Sequence, residues 1–216
     1  MHIIKAKDYD FRELTIDRLE TNYPSKLHAS NERVDVPVFA TAYGYVLGGV
    51  VVVDGIEVPK GYAFAAKHYI DGKSNYLNKF VVVLRYGFVG TTAIAKVEDM
   101  GRVQYIDGCT DSVLIAPPRF GDPCLNSLHF PRNITQTDHT HPSIRAGVIS
   151  SGHGWAVTPT GTHKLETGDA WVIDTNEVHH FVTGDSSGMT VIAYHPDSNW
   201  GPTDEVHPMK NRTYIK

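Results

Sequence analysis

Asp138-His139-Thr140-His141-Pro142, taken with Gly168-Asp169-Ala170-Trp171-Val172-Ile173-Asp174-Thr175-Asn176-Glu177-Val178-His179, decides how this chain reads. On an extended strand residues i and i+2 point to one face, so His139 and His141 would present two imidazoles side by side. Pro142 is compatible with that placement, because proline is tolerated at strand ends and edges. A third ligand must come from a neighbouring strand, and His179 follows a turn and an apolar run in the second stretch. Histidine is concentrated around them, with nine of the twelve lying after residue 128. It is the commonest metal ligand and the usual proton carrier near neutral pH, so the concentration asks for an explanation.

Outward from this core, short β-branched and aromatic runs alternate with Gly, Pro, Asp and Asn. Residues 45–47, 50–53, 80–84 and 92–95 are the candidate strands of the first half. Those of the second half are 102–106, 112–115, 127–130, 145–149, 154–157, 170–173, 180–182 and 190–194. A recurrence of roughly ten residues predicts an all-β sandwich or barrel. Asp54-Gly55 between two apolar runs reads as a two-residue hairpin turn, since both positions must accept positive φ. A short helix is expected near the start, where Phe11, Leu14, Ile16 and Leu19 form a stripe that Pro24 closes. The stretch from Pro196 onward reads as a closing loop. No Pro/Ser linker divides the chain, so two packed lobes are expected, residues 1–97 and 98–216.

The 216 residues are 41% hydrophobic and 20% charged, too apolar for a disordered chain. The longest apolar stretch, residues 45–53, carries two glycines and is too short to cross a bilayer. The first eight residues lack the apolar run of a signal peptide, so the cytoplasm is the expected compartment. Residues 1–100 hold 12 Lys/Arg and 12 Asp/Glu, and residues 101–216 hold 8 and 12, which places the whole net charge of −4 in the second half. Neither half offers the basic stripe that a nucleic-acid surface needs, and no membrane partner is expected. Cys109 and Cys124 form no CxxC pair and read as buried thiols.

The spacing around the histidines resembles that of the cupins, small double-stranded β-helix (jelly-roll) barrels with a metal in the mouth. The first cupin motif runs Gly, five residues, His-x-His, three or four residues, Glu, six residues, Gly. This chain has Asn133, His139-x-His141, Arg145 and Gly152 at those places. The second motif runs Gly, five residues, Pro-x-Gly, two residues, His, three residues, Asn. Here it is Gly168, Asp174-x-Asn176, His179 and Thr183. Asn replaces Gly at 133 and 176, and Asn is the next-best residue for a left-handed backbone. Arg145 stands where the family usually has a fourth ligand, Glu, and a guanidinium has no lone pair for a metal. The carry-over therefore stops at His139, His141 and His179. In the first half, Tyr45-Val46-Leu47-Gly48 and Gly61-Tyr62-Ala63-Phe64 look like a worn copy of the barrel pattern without His-x-His. By that likeness the chain resembles a bicupin with an empty N-terminal barrel.

Three neutral imidazoles suit Fe, Zn, Ni or Cu better than Mg or Ca. Cupins that lack the Glu, such as thiol and diketone-cleaving dioxygenases, use a three-histidine iron centre. The resemblance thus implies a metal-dependent enzyme, foremost a non-haem Fe(II) dioxygenase acting on a small anionic molecule. Two alternatives stand beside it: a cupin that binds or senses a small ligand without turnover, and a sugar or sugar-phosphate isomerase. Continuing the alternation from 139 and 141 aims Arg145 inward. There it would clamp a substrate carboxylate or phosphate, or else pair with an acidic neighbour or reach water. His195, at the end of a strand, reads as a proton carrier at the mouth or as a solvated residue. His180 must face away from His179, and His129 with Asn126 would face the lumen. Trp155, Trp171 and Tyr194 read as wall packing. A homodimer is expected by the same resemblance.

Overall fold

The computed structural model describes residues 1–6, 12–16 and 25–198, and none of them is α-helical. The first half runs β1 (His2–Ile4), β2 (Arg12–Thr15), β3 (Ser25–Ser30), β4 (Arg33–Asp35), β5 (Ala40–Gly48), β6 (Val50–Val53), β7 (Ile56–Pro59), β8 (Tyr62–Ala66), β9 (Tyr69–Asp71), β10 (Lys79–Tyr86) and β11 (Ala93–Lys96). The second half runs β12 (Val103–Gln104), β13 (Thr110–Ile115), β14 (Cys124–Phe130), β15 (Arg145–Thr158), β16 (Gly161–Glu166), β17 (Ala170–Ile173), β18 (His180–Val182) and β19 (Met189–His195). They form antiparallel sheets resembling cupin barrels. One sheet has the order β11-β8-β5-β10-β3-β2, and a second has β4-β9-β6-β7. The third runs β1-β17-β15-β19-β14-β13-β12, with β16 and β18 also paired to β15.

The burial pattern explains the layering. β10 is apolar without alternation because both its faces are covered, as in any doubly buried strand. Val81 and Val83 face one core with Tyr43 and Tyr45, while Phe80, Val82 and Leu84 face another with Val51, Val53, Val58 and Ile70. The first of these cores lies between the six-stranded and nine-stranded sheets, where Ala146, Val148, Ala170, Val172, Ile192 and Tyr194 meet it from the other side. Alternation then sends Trp171, Ile173, Val191 and Ala193 to the far face of the nine-stranded sheet, toward its own core. The functional cavity opens on that far face.

β15 shapes the cavity. Its first half pairs with β17 and β19, and its second half with β16 and β18. The change of partners coincides with a register shift between Ile149 and Ser151 and with Gly152 at φ 76. A bulge followed by a left-handed glycine lets one strand bend round a corner. Gly147, before the bend, lies so close to β19 that a Cβ would meet the Ile192 carbonyl oxygen at 1.8 Å.

Several sequence expectations change. Residues 12–15 are strand β2 rather than part of a helix, so no N-terminal helix is found among the described residues; Phe11, Leu19 and Pro24 lie outside them. Leu14 and Ile16, part of that stripe, are two apart as on one face of a strand, and pairing with β3 decides for the strand. The nine-stranded sheet ends on β1 and β12, so no closed barrel is found among the described residues. Residues 145–149 and 154–157 are one strand, and 102–106 shrinks to β12 before a 3₁₀ turn at Ile106–Gly108. Most of the closing stretch after Pro196 lies outside the described residues. The Asp54-Gly55 turn forms as read, with φ of 49° and 87° between Val53 and its partner Ile56.

Candidate metal centre

His139 and His141 lie in the irregular connection from β14 to β15, and His179 immediately precedes β18. The two segments are bound to each other antiparallel. His139 and His179 exchange backbone hydrogen bonds of 3.1 and 3.0 Å, and the Asn176 N–H donates to the His141 carbonyl at 2.8 Å. Further along, the Thr183 N–H donates to Ile134 O at 2.9 Å and the Thr183 hydroxyl accepts from the Ile134 N–H at 3.1 Å. Thr183 thus ties the last motif position to Ile134 through both its main chain and its side chain. Asn133 and Asn176 both have φ 58, the left-handed conformation expected where they replace glycine. His139 forms only an isolated bridge and His141 lies in no strand, so the expected i, i+2 strand geometry is absent. The rings converge because of the cross-links to residues 176–184.

The three rings stand 4.5 to 5.2 Å apart between centroids, and one ligand atom from each lies within 4.8 Å of the others. His139 Nδ1 contacts the Thr137 carbonyl at 2.9 Å, and His179 Nδ1 contacts the Glu177 carbonyl at 2.8 Å. A carbonyl only accepts, so in the neutral ring Nδ1 carries the proton and Nε2 keeps its lone pair, the arrangement that orients metal-binding histidines. Burial pushes the His141 pKa down to about 3, helped by Arg145 and then by His179 and His139. Burial also lowers His179, against the opposing hydrogen bond to Glu177. Neutral imidazoles with fixed tautomers are the form that coordinates a divalent cation, so the cluster is capable of holding one.

Arg145, the first residue of β15, lines the same cavity, with its side chain 11% exposed. The strand alternation invoked for it does not run through 139–144, which is irregular. Pairing with Ile173 of β17 sets its orientation instead. Nη1 donates to the Ile144 carbonyl at 2.8 Å, to Ser143 Oγ at 2.6 Å and to the Ser143 carbonyl at 3.3 Å, with Asp197 at 3.9 Å. Nε is buried with no hydrogen-bond partner among the described residues. His195 closes β19 and also lines the cavity. Burial first, and then the nearby Arg145 and His141, hold its pKa well below the ordinary value, which favours the uncharged ring.

Leu128, Phe130, Ile173, Phe181 and Val191 supply most of the apolar wall, together with Trp171. Space for water centres within the cavity is about 50 Å³, and one water needs ~10–15 Å³ on this measure, which leaves room for a few waters or a small ligand. Tyr105, Asp111 and Gln136 are polar lining residues absent from the sequence reading. Tyr194 packs on the opposite face, 5.5 Å from Tyr43. His129 pairs with Thr190 at 3.1 Å and faces away from Asn126, as an odd separation along one strand requires. His180 bonds Asp138 at 2.6 Å and does not line the cavity. Cys109 and Cys124 are buried thiols, raised by burial to about 11 and about 12.

No protein-family model matches the sequence, and no curated protein matches it significantly. Solved structures do resemble the fold. A cupin 2 conserved barrel domain protein from Leptotrichia buccalis superposes with TM-score 0.59 at 14% identity, over 88% of this chain and 91% of that one. Salicylate 1,2-dioxygenase from Pseudaminobacter salicylatoxidans gives 0.61 at 11% identity over 89% and 83%, and the Ylba protein from E. coli gives 0.60 at 12% over 89% and 84%. The chain is therefore similar to cupins in fold along most of its length.

Proposed function

We propose that this chain is a metal-dependent cupin enzyme, a three-histidine non-haem Fe(II) dioxygenase acting on a small anionic molecule. The observation that carries the reading is the convergence of His139, His141 and His179, two of them held with Nε2 free, beside a buried arginine with an unpartnered Nε–H. The donor set fits the group: three uncharged nitrogens favour Fe, Zn, Ni or Cu over Mg or Ca. Iron bound there would supply one-electron chemistry and open positions for O₂ and substrate. Arg145 binds and orients the substrate anion through its Nε edge, because Nη1 is already committed to Ser143 and Ile144. His195, kept neutral, accepts a proton at the cavity wall. The apolar wall excludes water, which strengthens both contacts. The likeness to a salicylate dioxygenase adds an aromatic or hydroxylated carboxylate as one anion to try.

A non-catalytic binder remains the second reading, favoured by the arginine in place of the usual carboxylate. An isomerase would need a His–Asp pair in the cavity, whereas the short pair, His180 with Asp138, lies outside it. The same proposal takes residues 1–97 as a degenerate cupin with a core filled by Val, Ala and Phe, and residues 98–216 as the metal-bearing cupin. It also retains a homodimer in the cytoplasm. Elemental analysis of untagged protein is expected to find about one metal per chain, mostly iron, and none in His141→Ala. Metal-free wild type, or an unaffected variant, ends the enzyme reading.

A further inference from the structure

The metal cavity shares one wall with a second, open cleft. Asp111 and His195 line both spaces, while Arg102, Cys124, Asn126 and Ser198 line the cleft alone. On the same measure the cleft offers about 510 Å³ against about 50 Å³ for the cavity. Some acceptors on its wall meet no donor among the described residues. Asn126 Nδ2 donates to Asp111 Oδ2 at 3.0 Å, which leaves Asp111 Oδ1 and Asn126 Oδ1 buried and unpartnered among the described residues. Asn126 is 8% exposed, and Ser198 Oγ on the same wall is also buried without a partner among the described residues. A buried acceptor left unmade is costly, and a buried carboxylate more so.

Neither neighbouring arginine relieves this. Arg102 directs Nε and Nη2 to Glu98 at 2.8 and 2.7 Å, Arg145 Nη1 is tied to Ser143 and Ile144, and neither arginine bonds Asp111 Oδ1 or Asn126 Oδ1. Burial raises the Asp111 pKa, opposed by Asn126 and by the Ser112 N–H, as expected for an acid that lacks a cationic partner. An ammonium carries three donors and no acceptor, which matches a carboxylate oxygen, an amide oxygen and a hydroxyl on one wall.

We propose that Asp111 and Asn126 form an ammonium subsite, and that the substrate is a small amino carboxylate whose carboxylate meets Arg145 while its ammonium lies against this wall. The carboxylate half rests on the function proposed above; the ammonium half stands on the cleft alone.

The test is calorimetric titration of purified full-length protein with ω-amino carboxylates of two to six carbons, each against the same acid without its amine. Propylammonium and Ca²⁺ are titrated separately, and the metal content of each preparation is measured. At one chain length the amine is expected to tighten Kd about tenfold or more, the scale of a charge-assisted hydrogen bond. Asp111→Asn should remove that gain while leaving the amine-free acid bound as before or tighter. Asn126→Ala should remove part of it, and it provides the reading if Asp111→Asn does not fold. Equal affinity with and without the amine, no binding of any amino carboxylate, a gain that survives both variants, or binding of Ca²⁺ but not of propylammonium would overturn the subsite. Metal-free protein that still shows the Asp111-dependent gain overturns the enzyme reading and leaves the subsite standing.

Discussion

Replacing Arg145 by methionine separates an anion clamp from an arginine that merely spoils a metal site. A charge-assisted hydrogen bond to a carboxylate contributes about 1.5–3 kcal/mol, so its loss should weaken a small carboxylate roughly 10- to 150-fold. Stability should move little. The Ile144 and Ser143 carbonyls lose a donor at 2.8 and 3.3 Å. Against this, a mostly buried guanidinium, 11% exposed, no longer needs desolvating. Opposing effects of about 1–2 kcal/mol each leave the melting temperature within a few degrees of wild type. Metal content should hold or rise, because a positive charge beside the imidazoles has gone; Arg145 is among the groups that lower His141. The assays are calorimetric Kd values for acetate and benzoate, elemental analysis and a thermal melt. An unchanged Kd for both acids would refute the clamp, and loss of metal would refute the electrostatic reasoning.

Acid should destabilise the metal-free protein. His141 falls from an ordinary 6.5 to about 3 on folding, so the unfolded chain binds the proton first and stability is lost as pH drops from about 6.5 toward 3. Discounted for a ring that is part-exposed, this amounts to roughly 1–2 kcal/mol between pH 7 and pH 4. Urea midpoints measured across that range check it, and a flat profile would contradict it. At position 176, Asn176→Gly should be tolerated, since φ is 58. Asn176→Ala should cost ~1 kcal/mol, a few degrees in a thermal melt, together with some metal affinity, because relaxing the strained φ would shift the main-chain N–H that holds the His141 carbonyl. Gly147→Ala should cost ~3 kcal/mol or more, or yield no folded protein. Its Cβ would meet backbone atoms of Ile192 at 1.8 and 2.8 Å, which yield only if β15 and β19 part. A well-folded variant would show that the two strands can separate cheaply.

The sequence made the strands legible wherever a core face alternates or a doubly buried run occurs, as at 80–84, 170–173 and 180–182. It also made the left-handed positions legible, because Asn133 and Asn176 stand where only Gly or Asn fits without strain. Motif spacing singles out the three histidines, but it does not encode their local geometry. No strand holds His139 and His141 on one face; long-range bonds to residues 176–184 gather the rings. Asp111 and Tyr105 were invisible for the same reason. Asp111 reaches the cavity because β13 pairs with β14 and β14 with β19, and no local signal encodes that ladder. The spurious helix came from reading a short apolar spacing that two periods share, which only the partner strand β3 resolves.

The electrostatics of position 145 bear on what the site can bind. A glutamate there would bring a negative charge to the ion, whereas an arginine brings a positive one, a difference of two units at the same place. The surrounding rings are uncharged when they coordinate, so they offset neither charge. Among the described lining residues Asp111 is the one carboxylate, and its free oxygen lacks any cation. A divalent ion in this cavity would therefore leave a surplus of positive charge in a low-dielectric space, where unbalanced charge is most costly. An anion arriving with the ligand would balance it, and the unpartnered Arg145 Nε–H would be the donor to receive it. On the function proposed above, an arginine at this place would couple occupancy of the metal to occupancy by an anion.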